Sequence, residues 1–239
     1  MPLPKIATPT YELVLPSTGK KIKYRPFLVK EEKILILALE SEDTKQITNA
    51  IKTILKSCIS TRGIKVEDLP TFDIEYIFLN IRGKSVGESI EVLVTCPDDG
   101  ETQVERKIYI DEIQVEKDEK HSPDIKLDHS LTLRMKYPSL NEFVQNNFSA
   151  SDDNTLQASM DIIASCIDVV YSEDESWAAA DCTKKELSEW LETLNTSQFK
   201  EVENFFETMP KLTHKVMVTN PNTKVESEVV MEGLTSFFG

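Results

Sequence analysis

Cysteine is scarce and scattered in this chain. There are four, Cys58, Cys96, Cys166 and Cys182, with no close pair among them, so no disulfide framework and no ready-made metal knuckle can be read from their spacing. Long apolar runs are missing too. The longest, Ile34 to Leu39, is far short of a membrane span, and the proline-broken stretch from Met1 to Pro16 does not read as a secretory signal. These absences together imply a reduced, intracellular setting. Positive charge is also short, with 27 basic residues against 41 acidic and a formal net charge of −14. That balance repels phosphate backbones and argues against nucleic-acid binding. The densest basic stretch, Lys20 to Arg25, reads as alternation along a strand with one solvated face. What is present is a chain of 239 residues with 40% hydrophobic content, enough for one large domain or two small ones with a real core.

The most distinctive positive feature is an internal echo. Val94-Thr95-Cys96-Pro97 returns as Val218-Thr219-Asn220-Pro221, Ser57-Cys58-Ile59 as Ser165-Cys166-Ile167, and Tyr24-Arg25-Pro26-Phe27-Leu28 as Tyr137-Pro138-Ser139-Leu140. The matches keep their order at a separation of roughly a hundred residues, about one domain length. Only one copy of Val-Thr-x-Pro carries a cysteine. A duplicated scaffold that does not keep a shared reactive residue points toward an interaction module and away from an enzyme.

Local patterning predicts strand, helices and hairpin in each half. Tyr11 to Leu15 and Lys21 to Tyr24 flank the turn residues Pro16-Ser17-Thr18-Gly19, a β-hairpin signal. Ile34 to Leu39 is apolar all round, and its charged lead-in, Lys30 to Lys33, favours a buried helix over a strand. Ile47, Ala50, Ile51, Ile54, Leu55 and Cys58 hold helical spacing over 44–60. A third helix follows Pro70 and ends near Gly83, apolar on two faces and therefore sandwiched. Ile90 to Thr95, the turn Pro97-Asp98-Asp99-Gly100 and the return from Val104 to Ile110 form a hairpin.

The second half is expected to repeat the plan. It has a strand from Ser130 to Tyr137 and a helix near 155–171 with Leu156, Met160, Ile163, Ile167 and Val170 on one stripe. The box Thr183-Lys184-Lys185-Glu186 opens the next helix. Ser197 is a candidate cap for the one after, which stops at Met209-Pro210, and a final hairpin turns at Asn220 to Thr223. The expected fold class is α+β: two pseudo-repeated lobes, each a short antiparallel sheet or hairpin with two to three packed helices. The expected boundaries are 1–116, a charged linker at 117–126, and 127–239.

Candidate chemistry is thin. Gly83-Lys84-Ser85 resembles the end of a phosphate-binding loop, but Phe78 stands where that loop needs glycine, and the segment follows a helix instead of a strand. A zinc knuckle at Cys96 would need a second cysteine two or three residues on, where Asp98 and Asp99 stand; the matching turn offers only Asn220 and Asn222. The hairpin reads as a knuckle that has lost its metal. Cys58 and Cys166 sit on apolar helix faces as small hydrophobes. Cys182 precedes a capping box, where a helix N-terminus could activate a thiol, yet no histidine is near it in sequence. His121, His129 and His214 are scattered, and Glu173-Asp174-Glu175 reads as a solvated loop. The expectation is no catalytic residue, no metal ligand set, no cofactor and no small-molecule substrate.

Tyr24 to Lys33 with Leu39-Glu40-Ser41, Leu69 to Leu79, and Arg82-Gly83-Lys84-Ser85-Val86-Gly87 resemble the baseplate hub and hub-assembly proteins of T4-like contractile-tailed phages. The resemblance covers most of the first half well and the second half more loosely. It implies a non-enzymatic role in the virion tail baseplate, assembled in the infected bacterial cytoplasm, with other tail and hub proteins as partners. It also leaves open a transient tail-assembly chaperone absent from the mature virion.

Overall fold

A computed structural model describes residues 6–41, 43–140 and 155–237. The fold is α+β, with every sheet small and antiparallel. In chain order come β1 (Tyr11–Val14), β2 (Lys21–Tyr24), α1 (Val29–Glu40), α2 (Thr44–Cys58), α3 (Thr71–Ser85), β3 (Ser89–Thr95), β4 (Gln103–Tyr109) and β5 (Gln114–Glu116). Then follow β6 (Asp124–Lys126), β7 (Thr132–Met135), α4 (Thr155–Ser165), β8 (Ile167–Tyr171) and β9 (Ser176–Ala178). The last elements are α5 (Lys184–Leu191), α6 (Thr196–Thr208), β10 (Lys211–Thr219) and β11 (Glu226–Glu232).

Two compact units result, and they do not follow the expected boundaries. The first combines Met1–Val66 and Phe72–Glu116 with the final segment Lys211–Gly239; the second is Glu67–Thr71 with Lys117–Pro210. The final hairpin was expected to close a second lobe, but it belongs to the first unit. There β10 pairs with β11 on one edge and with β5 on the other, Leu212 opposite Val115. Residues 117–126 are not a free linker either, because β6 pairs with β7 inside the second unit.

In the first unit α3 is wrapped on all sides. Phe72, Ile74, Ile77, Phe78, Leu79 and Ile81 are all buried, which is why no single apolar stripe marks it. Gly83 lies inside this helix, where a Cβ would approach Ile110 Cδ1 to 3.0 Å. It is a packing residue, and Lys84 and Ser85 complete the helix instead of a phosphate loop. Asp73 is fully buried in the first turn of α3. Its carboxylate accepts the Ser17 backbone N–H (3.0 Å) and the Ser17 hydroxyl, tying the β1–β2 turn to the helix. The strand faces of β3, β4 and β10 converge on one core: Ile90, Val92 and Val94 with Ile108, Val216 and Val218.

α1 forms where expected but is not buried. Only Glu31, Leu35 and Ala38 are enclosed, while Val29, Ile36 and Leu37 stand 79%, 49% and 55% exposed. Its N-terminus is held by the Glu31 carboxylate, 1% exposed as a residue, which accepts the Leu28 N–H (2.8 Å) and Arg25 Nη2 (2.9 Å). Burial alone would raise this carboxyl. The hydrogen bonds from Arg25, Leu28 and Lys30 overcome it and hold the pKa at about 2.

In the second unit the sheet runs β6-β7-β8-β9 beneath α4, α5 and α6. The helix expected at 155–171 ends at Ser165. Ile167–Tyr171 is strand β8, because its β-branched and aromatic residues pair with both β7 and β9. Leu156 of the expected stripe lies outside the described side chains. Thr183 and Glu186 form the anticipated capping box, with Thr183 N–H donating to Glu186 Oε2 at 2.7 Å. The next cap is Asn195, not Ser197: Asn195 Oδ1 accepts the Gln198 N–H and Gln198 Oε1 accepts the Asn195 N–H, each at 3.0 Å. The sequence Asn195-Thr196-Ser197-Gln198 carried that signal two residues earlier.

The Ser-Cys-Ile echo has a physical counterpart in each unit. Arg25 N–H donates to the Cys58 carbonyl (3.0 Å) as Tyr24 pairs with Ile59; Lys136 N–H donates to the Cys166 carbonyl (2.7 Å) as Met135 pairs with Ile167. Both cysteines are 0% exposed. In the Tyr-Pro match, by contrast, Pro138 stands one residue and Tyr137 two residues out of step with these bonds.

Candidate functional site

The Val-Thr-Cys-Pro and Val-Thr-Asn-Pro segments come together. Alternation along β3 places Ile90, Val92, Val94 and Cys96 on the inner face; along β10 it places Val216, Val218 and Asn220 there, with Cys96 and Asn220 both 0% exposed. Each strand then enters the same five-residue turn. In Cys96-Pro97-Asp98-Asp99-Gly100 the last N–H donates to the Cys96 carbonyl at 2.9 Å. In Asn220-Pro221-Asn222-Thr223-Lys224 the last N–H donates to the Asn220 carbonyl, also at 2.9 Å. The fifth residue is left-handed in both, φ +68° at Gly100 and +64° at Lys224. That conformation is ordinary for glycine and costly for lysine, so the second turn keeps the shape of the first despite an ill-suited residue.

The two turns are cross-linked by hydrogen bonds. Asn220 Nδ2 lies 3.0 Å from each carboxylate oxygen of Asp98 and 2.8 Å from Asp99 Oδ2. Asn220 Oδ1 accepts the Asn222 N–H at 2.8 Å, so the amide orientation is determined by its partners. Thr223 Oγ1 donates to Asp98, and Asn222 Nδ2 donates to Thr102 Oγ1 at 3.0 Å. The bonds lower both carboxyls: Asp98 chiefly through Thr223 and Asn220, Asp99 chiefly through Thr102 with help from Asn220. The Cys96 thiol is pushed up, first by burial and then by the two neighbouring carboxylates. A protonated, enclosed thiol is a poor nucleophile and a poor metal ligand.

The other singled-out residues stay apart. Cys58 is buried with its thiol pushed up to about 11 by desolvation. Cys182 is half-buried with Sγ 3.6 Å from the Ala178 carbonyl oxygen. It lines an apolar groove of about 380 Å³ in the second unit, with Leu131, Val170, Trp177, Leu187 and Trp190. His214 Nδ1 meets the Glu112 carbonyl at 3.3 Å, and His129 is exposed. His121 is buried between Thr208 Oγ1 (2.9 Å) and the Tyr137 hydroxyl (3.0 Å), against Phe205. Thr208 already donates to the Asn204 carbonyl, so it accepts from Nδ1–H, leaving Nε2 to accept from Tyr137. Among the described residues no group of three or more His, Cys, Asp or Glu could hold a metal ion, and no helix is long and apolar enough to cross a membrane.

Sequence reasoning found both turns but not their meeting, which spans more than 120 residues of chain. The echo was the available signal. Comparison with curated proteins and with solved structures finds no match. The family model described as T4 bacteriophage base plate protein matches residues 8–239.

Proposed function

The chain belongs to the T4 bacteriophage base plate protein family, and on that premise we propose that it is a non-enzymatic interaction protein of the baseplate hub, built into the tail in the infected bacterial cytoplasm. A structural role in the virion tail baseplate, among other tail and baseplate proteins, follows from the family itself. The observation that favours an interaction surface is the outer face of α1, where Val29, Ile36 and Leu37 hold apolar area in water. A face of this kind is characteristic of a subunit that seats against a neighbour. The segment that fixes this helix, Arg25 to Glu31, lies within Tyr24 to Lys33, one of the stretches that resemble hub proteins.

Mass spectrometry of purified tails tests the residence of the chain. A hub subunit is present in intact tails at a fixed ratio to other baseplate proteins. Replacing Ile36 and Leu37 by serine is expected to leave the chain folded but exclude it from assembled baseplates. Absence of the wild-type chain from tails would end the hub reading.

One observation favours a second reading, a transient tail-assembly chaperone. The groove lined by Trp177, Leu187 and Trp190 is apolar and open, as a holder of unassembled tail protein would need. That reading expects abundance in infected lysate and none in virions. An enzyme acting through Cys96 is disfavoured by the full enclosure of its thiol; alkylation of Cys96 and Cys182 is expected to leave tail assembly intact.

A further inference from the structure

We infer that the paired turns are the frame of a four-ligand zinc ribbon, with ligand positions 96, 99, 220 and 223, in which hydrogen bonds through Asn220 have taken the place of the metal. A zinc ribbon brings two hairpin turns together so that each supplies two side chains, two residues apart, to one tetrahedral ion. Every backbone element of that arrangement is here. Two β-hairpins share a core, their turns have the same closing bond and the same left-handed fifth residue, and proline stands second in each. The first and fourth turn positions are Cys96 and Asp99 on one side, Asn220 and Thr223 on the other.

The convergence is metrical as well as topological. Asn220 Nδ2 touches Asp99 at 2.8 Å, so a first-position side chain of one turn already meets the fourth-position side chain of the other. Cys96 and Asn220 both point inward and are fully enclosed. Two of the four positions, Asn220 and Thr223, hold side chains that do not ordinarily bind zinc, and both make cross-turn bonds to the aspartates of the first turn. The bonds do mechanically what a structural metal does: they join two hairpins that the core beneath already aligns. The wild-type chain accordingly needs no metal to hold the turns, and its remaining cysteine is a relic of the ligand set.

The test restores the ligands. The full-length D99C/N220C/T223C variant, with native Cys96, is titrated with cobalt(II) under reducing conditions. One cobalt per chain with the strong visible absorption of tetrahedral thiolate coordination, bleached by zinc, is the expected result. The control D98C/N220C/T223C moves one ligand by a single position and is expected to lose that spectrum. If the first variant does not fold alone, circular dichroism with added zinc decides: recovery of the wild-type spectrum supports the inference, and no recovery overturns it. A folded variant that gives no tetrahedral cobalt spectrum overturns it, as does a control that binds equally well. Wild-type protein is expected to melt at the same temperature with zinc and with chelator; a chelator-induced drop would also refute the replacement.

Discussion

Substituting Glu31→Gln removes one charge and nearly no volume from the point that starts α1. In the wild type the Glu31 side chain is 2% exposed and Arg25, its partner, 20%, so the pair is largely withdrawn from solvent. Glutamine retains one acceptor but turns an amide donor toward either Arg25 or the Leu28 N–H, so one bond is lost and the guanidinium has no counter-charge. Removing one member of a buried pair costs about 3–5 kcal/mol, and the partial exposure of Arg25 sets this case at the lower end. Linkage gives a matching figure. A carboxyl carried from 4.5 to about 2 by folding contributes about 3 kcal/mol, at about 1.36 kcal/mol per pH unit. The folded-state pKa is depressed, so this stability is fully present above pH 4.5 and is lost as pH falls toward 2. E31Q is therefore expected to be weaker than wild type by about 3 kcal/mol at pH 7, a urea-midpoint shift of about 1–2 M. The difference should shrink as the pH approaches 2. Urea titration by circular dichroism, with hydrogen exchange of the 25–41 amides as the local readout, measures both. A loss below about 1 kcal/mol at pH 7, or a difference that does not change with pH, would refute the reasoning.

Two further substitutions or conditions probe other parts of the fold. Thr213 is buried in β10 with its hydroxyl unpartnered among the described residues, so the isosteric Thr213→Val is expected to stabilise the protein by about 1 kcal/mol, read from the same urea titration; destabilisation would show that the hydroxyl has a partner. Burial, then Lys117, lowers the His121 pKa in the folded state. Its contribution is therefore present above about pH 6.5 and is lost as pH falls below it. Trp177 and Trp190 are both in the second unit, so their fluorescence should report a urea midpoint that declines between pH 7 and 5. A flat profile would contradict the neutral-ring assignment.

Local rules account for most of the elements but not for their grouping. The β1–β2, β3–β4 and β10–β11 hairpins were legible because alternation and turn residues act over a few positions. The Thr183 box was legible for the same reason, and α2 because its spacing persists over several turns. Ile167 to Tyr171 was misread as helix because a short apolar run satisfies either period, and only pairing with β7 and β9 decides between them. The exposure of α1 was equally out of reach, since an apolar helix does not state which of its faces finds a neighbour.

By itself, then, the sequence determined an α+β chain with antiparallel hairpins, an excess of acidic residues and a pair of matching turns, only one of which carries a cysteine. Tertiary structure alone decided that the final hairpin joins the first unit and that Asn220 meets Asp98 and Asp99. The physical reason is range. Turn shape and strand alternation are set by neighbours along the chain, whereas the meeting of residues 98 and 220 depends on the shared burial of Val92, Val94, Val216 and Val218. No local rule encodes that contact.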